Sequence, residues 1–179
     1  MSKNCVIKGT LISIDDKDKK EIELLKAGDK LLSYSIEGIE NTQDESLLGK
    51  TKVNNFEGEF SYQLIKNIWK NTFESYYKIN NELSITDDHF VICKRENEYF
   101  WIEVDELKIG DSLYKSDNTF KEIETLQFVG KNIDVYNLQV NSIYTYFANG
   151  YLVHNGPGFP CNESDCEECY DAWVEENSS

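Results

Sequence analysis

The sequence predicts an all-β fold, and three observations support this prediction. β-branched and aromatic residues recur in short runs that Gly, Asn and Asp separate, which is typical of strands joined by turns. Helical periodicity is scarce along the chain. Asn149 and Gly150 stand between two aromatic-rich runs. This dipeptide is a strong hairpin signal, because a type I′ turn needs a positive φ at both of its central positions.

The same runs define twelve predicted strands, each bounded by polar or turn-forming residues. In chain order they cover residues 6–14, 30–36, 60–70, 75–79, 82–86, 89–94, 99–102, 111–115, 122–129, 132–141, 143–148 and 151–154. The polar stretch 38–58 contains no such run, so we expect the longest loop there. Trp69 and Trp101 fall within predicted strands and are expected in the core.

One segment of the chain is repeated. Residues 25–31 recur as residues 107–113, at an offset of 82, with five identical positions of seven. Applied to Cys5, the same offset leads to Asp87. Cys5 and Asp87 therefore each lie about 20 residues before the Gly-Asp turn of their own copy. This shared spacing predicts two structurally related halves.

Length and charge limit the partners and the compartment. The chain has 179 residues and a mass of 20.8 kDa, which suits one domain, and we expect a monomer. Its net charge of -15 argues against nucleic acid or an anionic membrane as a partner, because both bind through Lys and Arg. Five cysteines are an odd number, and the N-terminus lacks the apolar stretch of a signal peptide. These features favour the cytoplasm, a reducing compartment.

Three short runs contain the residues that could carry chemistry. Cys5 comes near the start, Thr86 and His89 form a Thr-x-x-His run in the middle, and His154 precedes Asn155 near the end. The chain has only two histidines, and both fall in these runs. In this order, the runs resemble those of an intein, or more broadly of the Hint superfamily shared with Hedgehog autoprocessing domains.

The resemblance covers residues 5–155 and implies a horseshoe-like Hint fold with internal pseudo-two-fold symmetry. The implied activity is a single turnover on the chain's own flanking segments, without a cofactor. Cys5 would attack the carbonyl of Asn4 in an N-S acyl shift, with Thr86 holding the scissile peptide and His89 protonating the leaving nitrogen. Asn155 would then cyclise and release Gly156, assisted by His154. The interval 90–153 is too short for an inserted endonuclease, so the chain is similar to a minimal intein or a bacterial intein-like domain.

Each signal alone also has an ordinary interpretation. A single Cys near an N-terminus is usually a small buried hydrophobe, and Asn-Gly pairs are common in turns and deamidate without cutting the chain. The order of all the signals together favours the Hint interpretation.

Three positions differ from the family pattern. Gly156 stands where splicing inteins carry Cys, Ser or Thr, so ligation of the flanks by the standard route has no nucleophile. Asn137 replaces a usual Asp, and Tyr144 replaces a His that many members carry. These differences leave a second hypothesis open, in which the chain is an inactive Hint relict that serves as a structural or interaction module of a host protein.

The segment after Asn155 has a different composition. Residues 156–179 contain seven acidic side chains and neither Lys nor Arg, so we expect an acidic, flexible C-terminal flank, with residues 1–4 as the N-terminal flank. Cys161, Cys166 and Cys169 are weak candidates for metal ligands, because a zinc site needs a fourth ligand, and a solvated acidic tail with free thiols is the favoured interpretation.

Overall fold

The structure is a computed structural model that describes residues 4–155, and these fold almost entirely into antiparallel strands. The strands are β1 (Val6–Ile7), β2 (Leu11–Ser13), β3 (Lys19–Glu21), β4 (Lys30–Ile36), β5 (Gly58–Phe73), β6 (Tyr76–Ile79), β7 (Leu83–Ile85), β8 (Phe90–Arg95), β9 (Glu98–Glu103), β10 (Ser112–Tyr114), β11 (Phe120–Glu122), β12 (Leu126–Val129), β13 (Ile133–Val140), β14 (Thr145–Ala148) and β15 (Tyr151–His154). Two 3-10 turns, Ile22–Leu24 and Val104–Glu106, complete the regular structure. The predicted all-β fold class is confirmed.

The strands form two sheets. The first has the order β12-β6-β7-β1-β13-β5-β4, and the second has the order β11-β10-β8-β15-β14-β2-β3, with β9 added on β8. The chain passes from the first sheet to the second three times, between β1 and β2, between β7 and β8, and between β13 and β14. Neither 3-10 turn within residues 4–155 approaches the length that a membrane-crossing helix needs.

Two clusters of buried side chains form the core. The larger is mainly aliphatic and draws on both sheets, with Val6, Ile12, Ile85 and Val153 among its members. The smaller is rich in aromatic rings and includes Trp101, which is buried as predicted. Trp69 is only half-buried, so the prediction that it is a core residue is wrong. It lies on β5 opposite the buried Asn137 of β13, and strand position alone did not indicate how completely each residue of β5 is covered.

Several predicted strands differ from the observed ones. Those at 30–36 and 151–154 have the predicted limits, whereas the predicted strand 6–14 is two strands in different sheets. Gly9, with a φ of 88°, lies between them, and this left-handed conformation redirects the chain. The predicted strand 122–129 is likewise divided into β11 and β12 around the buried Ile123. The polar strand β3 was not predicted, because it has no apolar run.

The repeat is present in the backbone hydrogen bonds. In the first copy Gly28 N donates to Ile65 O at 2.8 Å, and in the second Gly110 N donates to Ile123 O at 3.0 Å. Each Gly has a positive φ, of 92° and 96°. Each copy also follows one of the two 3-10 turns, so the prediction of two related halves is confirmed.

The predicted hairpin and the long loop are also present. Asn149 and Gly150 have φ values of 47° and 84° and connect β14 to β15 as a two-residue turn, with Ala148 paired to Tyr151. The long loop covers residues 37–57, between β4 and β5. We refer to this segment as the β4-β5 loop.

Candidate functional site

Cys5 lies in a row of residues that crosses the first sheet. Val6 pairs with Ile85 of β7 on one side and with Tyr136 of β13 on the other. One further step in the same register places Cys5 opposite Thr86 and Asn137, with the three side chains on one face. Cys5 N donates to Thr86 Oγ1 at 3.0 Å, and Thr86 N donates to Cys5 O at 3.0 Å. Cys5 is buried, and it forms no disulfide with Cys93, the other cysteine within residues 4–155.

Two side chains bind the backbone on either side of the Asn4-Cys5 peptide bond. Thr86 Oγ1 accepts from Cys5 N, and Asp88 Oδ1 accepts from Asn4 N at 3.1 Å. Thr86 Oγ1 also lies 3.2 Å from Asp88 Oδ1, which links the two acceptors. The segment 86–89 therefore fixes the orientation of this peptide bond.

His89 lies beside Cys5 and is completely buried. Its Nδ1 is 3.4 Å from Cys5 O, whereas its Nε2 has no hydrogen-bond partner among residues 4–155. Burial lowers the pKa of His89 to about 4, although the neighbouring Asp88 carboxylate, Cys5 O and the His154 backbone act in the opposite direction. The imidazole is therefore neutral at neutral pH and can accept a proton.

Asn155 lies at the end of the second sheet, between two neighbouring strands. Val153 pairs with Val91 of β8, and His154 pairs with Thr145 of β14. If the same register continues by one residue, Asn155 lies opposite His89 on one side and opposite Tyr144 on the other. Asn155 N donates to Tyr144 O at 2.8 Å.

The side-chain amide of Asn155 connects the two sheets. Its oxygen and nitrogen are assigned by their hydrogen bonds. In the orientation that satisfies both atoms, Nδ2 donates to Tyr144 O at 2.5 Å and Oδ1 accepts from Val140 N at 3.1 Å. Asn155 is completely buried, so the amide is protected from water as well as oriented.

His154 is buried beside two aromatic rings. Its ring centroid is 5.1 Å from that of Trp101, nearly perpendicular to it, and 6.4 Å from that of Tyr144. Its Nδ1 has no hydrogen-bond partner in the described part of the chain. Burial lowers its pKa to about 3, so this imidazole is also neutral at neutral pH.

The structure brings the predicted residues of both ends to one region. Cys5, Thr86, His89, His154 and Asn155 are all buried where the chain crosses between the sheets. His89 joins the two groups, because it lies near Cys5 O, and the His154 backbone is close enough to favour its charged form. Gly156 lies outside the described residues.

Three further residues of the site were not found from the sequence. Asp88 and Glu45 contact Asn4, and Tyr146 packs edge-on against His89 with ring centroids 6.3 Å apart. Tyr146 is completely buried, and its hydroxyl has no partner among residues 4–155. Burial, and secondarily the electrostatic effect of the nearby Cys5, raises the pKa of Tyr146, so the phenol remains protonated. Asp88 could have been suspected from its place beside His89, whereas Tyr146 and Glu45 have no distinguishing sequence pattern.

Asn137 and Tyr144, which differ from the family pattern, both lie within the described residues and have unusual local structure. Both polar atoms of the Asn137 amide are buried and have no hydrogen-bond partner within residues 4–155. Tyr144 has a φ of 65°, a left-handed conformation that is uncommon for a large side chain. This backbone conformation turns the Tyr144 carbonyl toward Asn155.

Metal ligands were a secondary prediction. Cys161, Cys166 and Cys169 lie outside the described residues, so that prediction is not tested. Within residues 4–155, no group of three or more His, Cys, Asp or Glu side chains is placed to bind a metal ion. Cys93, the other described cysteine, is buried and free, and burial raises the pKa of its thiol to about 12.

Comparison with known families and sequences gives two findings. Residues 14–156 match the model of the pretoxin HINT domain family. A 108-residue alignment with transcription initiation factor IIB of Methanocaldococcus jannaschii shows 30% identity and covers 54% of the chain. The chain spans only 16% of that protein's length.

Comparison with solved structures shows the same fold. A bacterial intein-like domain from Clostridium thermocellum superposes with a TM-score of 0.66 and 23% identity, over 86% of the chain and 100% of that domain. A DnaB intein from Synechocystis gives a TM-score of 0.59 and 15% identity, over 85% and 98%. A transcription factor IIB mini-intein gives 0.59 and 16%, over 86% and 100%.

Proposed function

The chain belongs to the pretoxin HINT domain family and has the Hint fold, and from this premise we propose that it cuts its own backbone at the Asn4-Cys5 and Asn155-Gly156 bonds. The observation that carries this proposal is the pair of hydrogen bonds from Asn4 N to Asp88 and from Cys5 N to Thr86. Side chains that orient both neighbours of one peptide bond supply the positioning that an unassisted amide cleavage lacks.

The first cleavage begins with a proton transfer. Neutral His89 accepts the proton of the Cys5 thiol, and the thiolate attacks the carbonyl carbon of Asn4. The new carbon-sulfur bond replaces the bond to Cys5 N, and the protonated His89 returns the proton to this nitrogen. Burial lowers the pKa of this imidazole to about 4, which leaves it neutral at the start and makes its charged form a strong acid that readily returns the proton.

The second cleavage uses the side chain of Asn155. Its Nδ2 attacks its own carbonyl carbon and closes a succinimide, while the bond to Gly156 N breaks. The Tyr144 carbonyl accepts a hydrogen bond from Nδ2 and thereby orients it. Neutral His154 supports the transfer of a proton from Nδ2 to the leaving Gly156 nitrogen.

Release without ligation is the expected result. Gly156 has no side chain that could accept the acyl group from Cys5, so the two cleavages yield separate products. The substrates are therefore the chain's own flanking segments.

The proposed reaction also bears on the compartment and the partners. Cys5 must remain a free thiol, which favours a reducing compartment. The net charge of -15 favours neither nucleic acid nor an anionic membrane as a partner.

Mass spectrometry of the intact chain tests the proposal. After a day at neutral pH, a small thiol such as dithiothreitol should liberate the peptide that ends at Asn4, and Cys5→Ala should abolish this release. His89→Ala should strongly reduce it. Asn155→Ala should prevent release of the 24-residue segment 156–179, because only the side-chain amide can form the succinimide, and His154→Ala should slow that step.

The inactive relict remains the second candidate. The buried Asn137 amide without a partner among the described residues favours it, because such a group marks an altered site. A wild-type chain that stays uncut, with and without thiol, would support the relict and contradict the proposed cleavages. Release of the two segments that is unchanged in Cys5→Ala and Asn155→Ala would indicate ordinary proteolysis.

A further inference from the structure

The residue before Cys5 is bound by a side chain of the β4-β5 loop. Asn4 is buried, and its Nδ2 donates a hydrogen bond to the carboxylate of Glu45. The same loop contacts the first sheet nearby, where Gln139 Nε2 donates to Gln43 Oε1 at 3.3 Å. The loop therefore covers the upstream side of the scissile bond and offers an acceptor to the side chain at position 4.

The backbone of Asn4 restricts the same position independently. Its φ is 40°, in the left-handed region, where Asn and Asp are several-fold enriched and β-branched residues are genuine outliers. Asn and Asp are thus the non-glycine residues that this backbone accepts most readily. The backbone alone does not distinguish one of them from the other.

The charges around Asn4 do distinguish the two. Glu45 accepts from the Asn4 side chain, and Asp88 accepts from the Asn4 backbone. An amide side chain can donate to Glu45, whereas a carboxylate of the same shape cannot donate and would be repelled by both acidic groups.

We propose that Glu45 determines which residue the domain accepts on the upstream side of the scissile bond, favouring a short amide donor and rejecting a carboxylate. This inference rests on the proposed cleavage at Cys5. It identifies the upstream substrate as a segment that ends in Asn, because this residue satisfies the left-handed backbone and the Glu45 acceptor together.

The test compares rates of thiol-dependent release from the full chain. Asn4→Asp preserves the shape and the backbone preference but removes the donor and adds a charge, so we expect release to slow about 10- to 100-fold. Glu45→Gln offers a neutral partner that can donate to the new carboxylate. The double variant Asn4→Asp/Glu45→Gln should therefore recover most of the lost rate.

A matched control comes from the same loop. Glu40 is exposed, and Glu40→Gln removes one negative charge near the site without touching Asn4, so it should not rescue Asn4→Asp. Thermal unfolding of every variant shows whether a slow rate reflects a lost fold. Asn4→Val tests the backbone restriction separately and should be slower than Asn4→Gly.

The outcomes separate the inference from the function on which it rests. No thiol-dependent release from the wild type would overturn the proposed function and this inference with it. Normal wild-type release with an equal rate in Asn4→Asp would overturn the inference alone. A slow Asn4→Asp that Glu45→Gln fails to rescue, or that Glu40→Gln rescues equally, would also overturn the role of Glu45.

Discussion

Asn137 lies directly across from Cys5 on the neighbouring strand, because Val6 pairs with Tyr136 and the same register continues by one residue. Asn137 is buried, and its amide oxygen and nitrogen both lack a hydrogen-bond partner among residues 4–155. A buried amide without partners destabilises the folded state, since it has lost its hydrogen bonds to water. The residue opposite Cys5 therefore lowers the stability of the folded domain locally.

Replacement of Asn137 by an apolar residue of similar shape should stabilise the domain. We expect Asn137→Leu to raise the free energy of unfolding by about 1 to 2 kcal/mol, because both unsatisfied atoms are removed together. Urea unfolding at neutral pH measures this change. The matched control is Asn67→Leu, because Asn67 Nδ2 donates to Gln139 Oε1 at 2.8 Å and its loss should destabilise. Equal destabilisation by both substitutions would show that the Asn137 amide forms hydrogen bonds in the folded domain.

The two histidines should make the domain sensitive to mild acid. Burial lowers the pKa of His89 to about 4 and that of His154 to about 3, whereas both have an ordinary value near 6.5 when unfolded. Below pH 6.5 the unfolded chain binds protons that the folded chain does not, so stability falls as the pH falls. From pH 7 to pH 5 each histidine should remove about 2 kcal/mol from the free energy of unfolding.

Urea unfolding at several pH values between 5 and 7 tests this expectation. His154→Gln removes one of the two titrating groups, so its stability should depend on pH about half as steeply as that of the wild type over this window. Parallel curves for the wild type and the variant would mean that His154 titrates normally in the folded domain.

The two copies of the repeat should respond differently to the same substitution. Asp29 accepts from Lys26 N at 3.0 Å, and Asp111 accepts from Lys108 N at 2.8 Å, so both close the same turn. Asp111 is buried and also binds Arg95 through two hydrogen bonds, of 2.9 and 2.8 Å. Removal of one partner from a buried ion pair is strongly destabilising, because it leaves an uncompensated charge.

We therefore expect Asp111→Ala to lower the free energy of unfolding by roughly 3 kcal/mol and Asp29→Ala by about 1 kcal/mol. Chemical denaturation of the two variants gives both values directly. Since Arg95 is partly exposed, the double variant Asp111→Ala/Arg95→Ala should recover part of the loss. Similar losses in the free energy of unfolding for Asp29→Ala and Asp111→Ala would show that the turn contributes to stability and that the ion pair does not.

The candidate site residues could be selected from the sequence, whereas their environment could not. Cys5, His89 and Asn155 belong to short ordered runs, which are local and visible in a single chain. The division of the predicted strand 6–14 depends on the left-handed Gly9, and nothing in the apolar pattern marks that conformation in advance. The contact of Glu45 with Asn4 joins residues 41 positions apart through an irregular loop, so no periodic pattern could indicate it.

The low pKa values of the histidines could not be predicted from the sequence either, for a different physical reason. A His near a functional run could be exposed or buried, and only the packing of both sheets around His89 and His154 decides this. Burial changes the predicted role of His89. The sequence suggested a proton donor, whereas burial keeps this imidazole neutral at neutral pH, so in the proposed reaction it receives a proton before it donates one.

The last prediction concerns ligation of the two flanks. In the proposed reaction the acyl group on Cys5 has no acceptor, because Gly156 has no side chain. Gly156→Cys supplies a thiol directly after Asn155, whose backbone and side chain are both fixed by hydrogen bonds to Tyr144 O. A nucleophile held next to a thioester can reach an effective concentration of about 10⁵ M or more. We expect this variant to yield some product in which the segment ending at Asn4 is joined through the introduced residue to Pro157.

A longer upstream segment makes that product easy to identify by mass, and the matched control is Gly156→Ala, which adds a side chain without a nucleophile. Ligated product should appear only with Gly156→Cys and should disappear when Cys5→Ala is added, because the acyl group must first reach Cys5. If Gly156→Cys gives only the two separate cleavage products, the missing acceptor is not the main obstacle to ligation. The altered residues Asn137 and Tyr144 then become the better explanation, since one lies opposite Cys5 and the other orients Asn155.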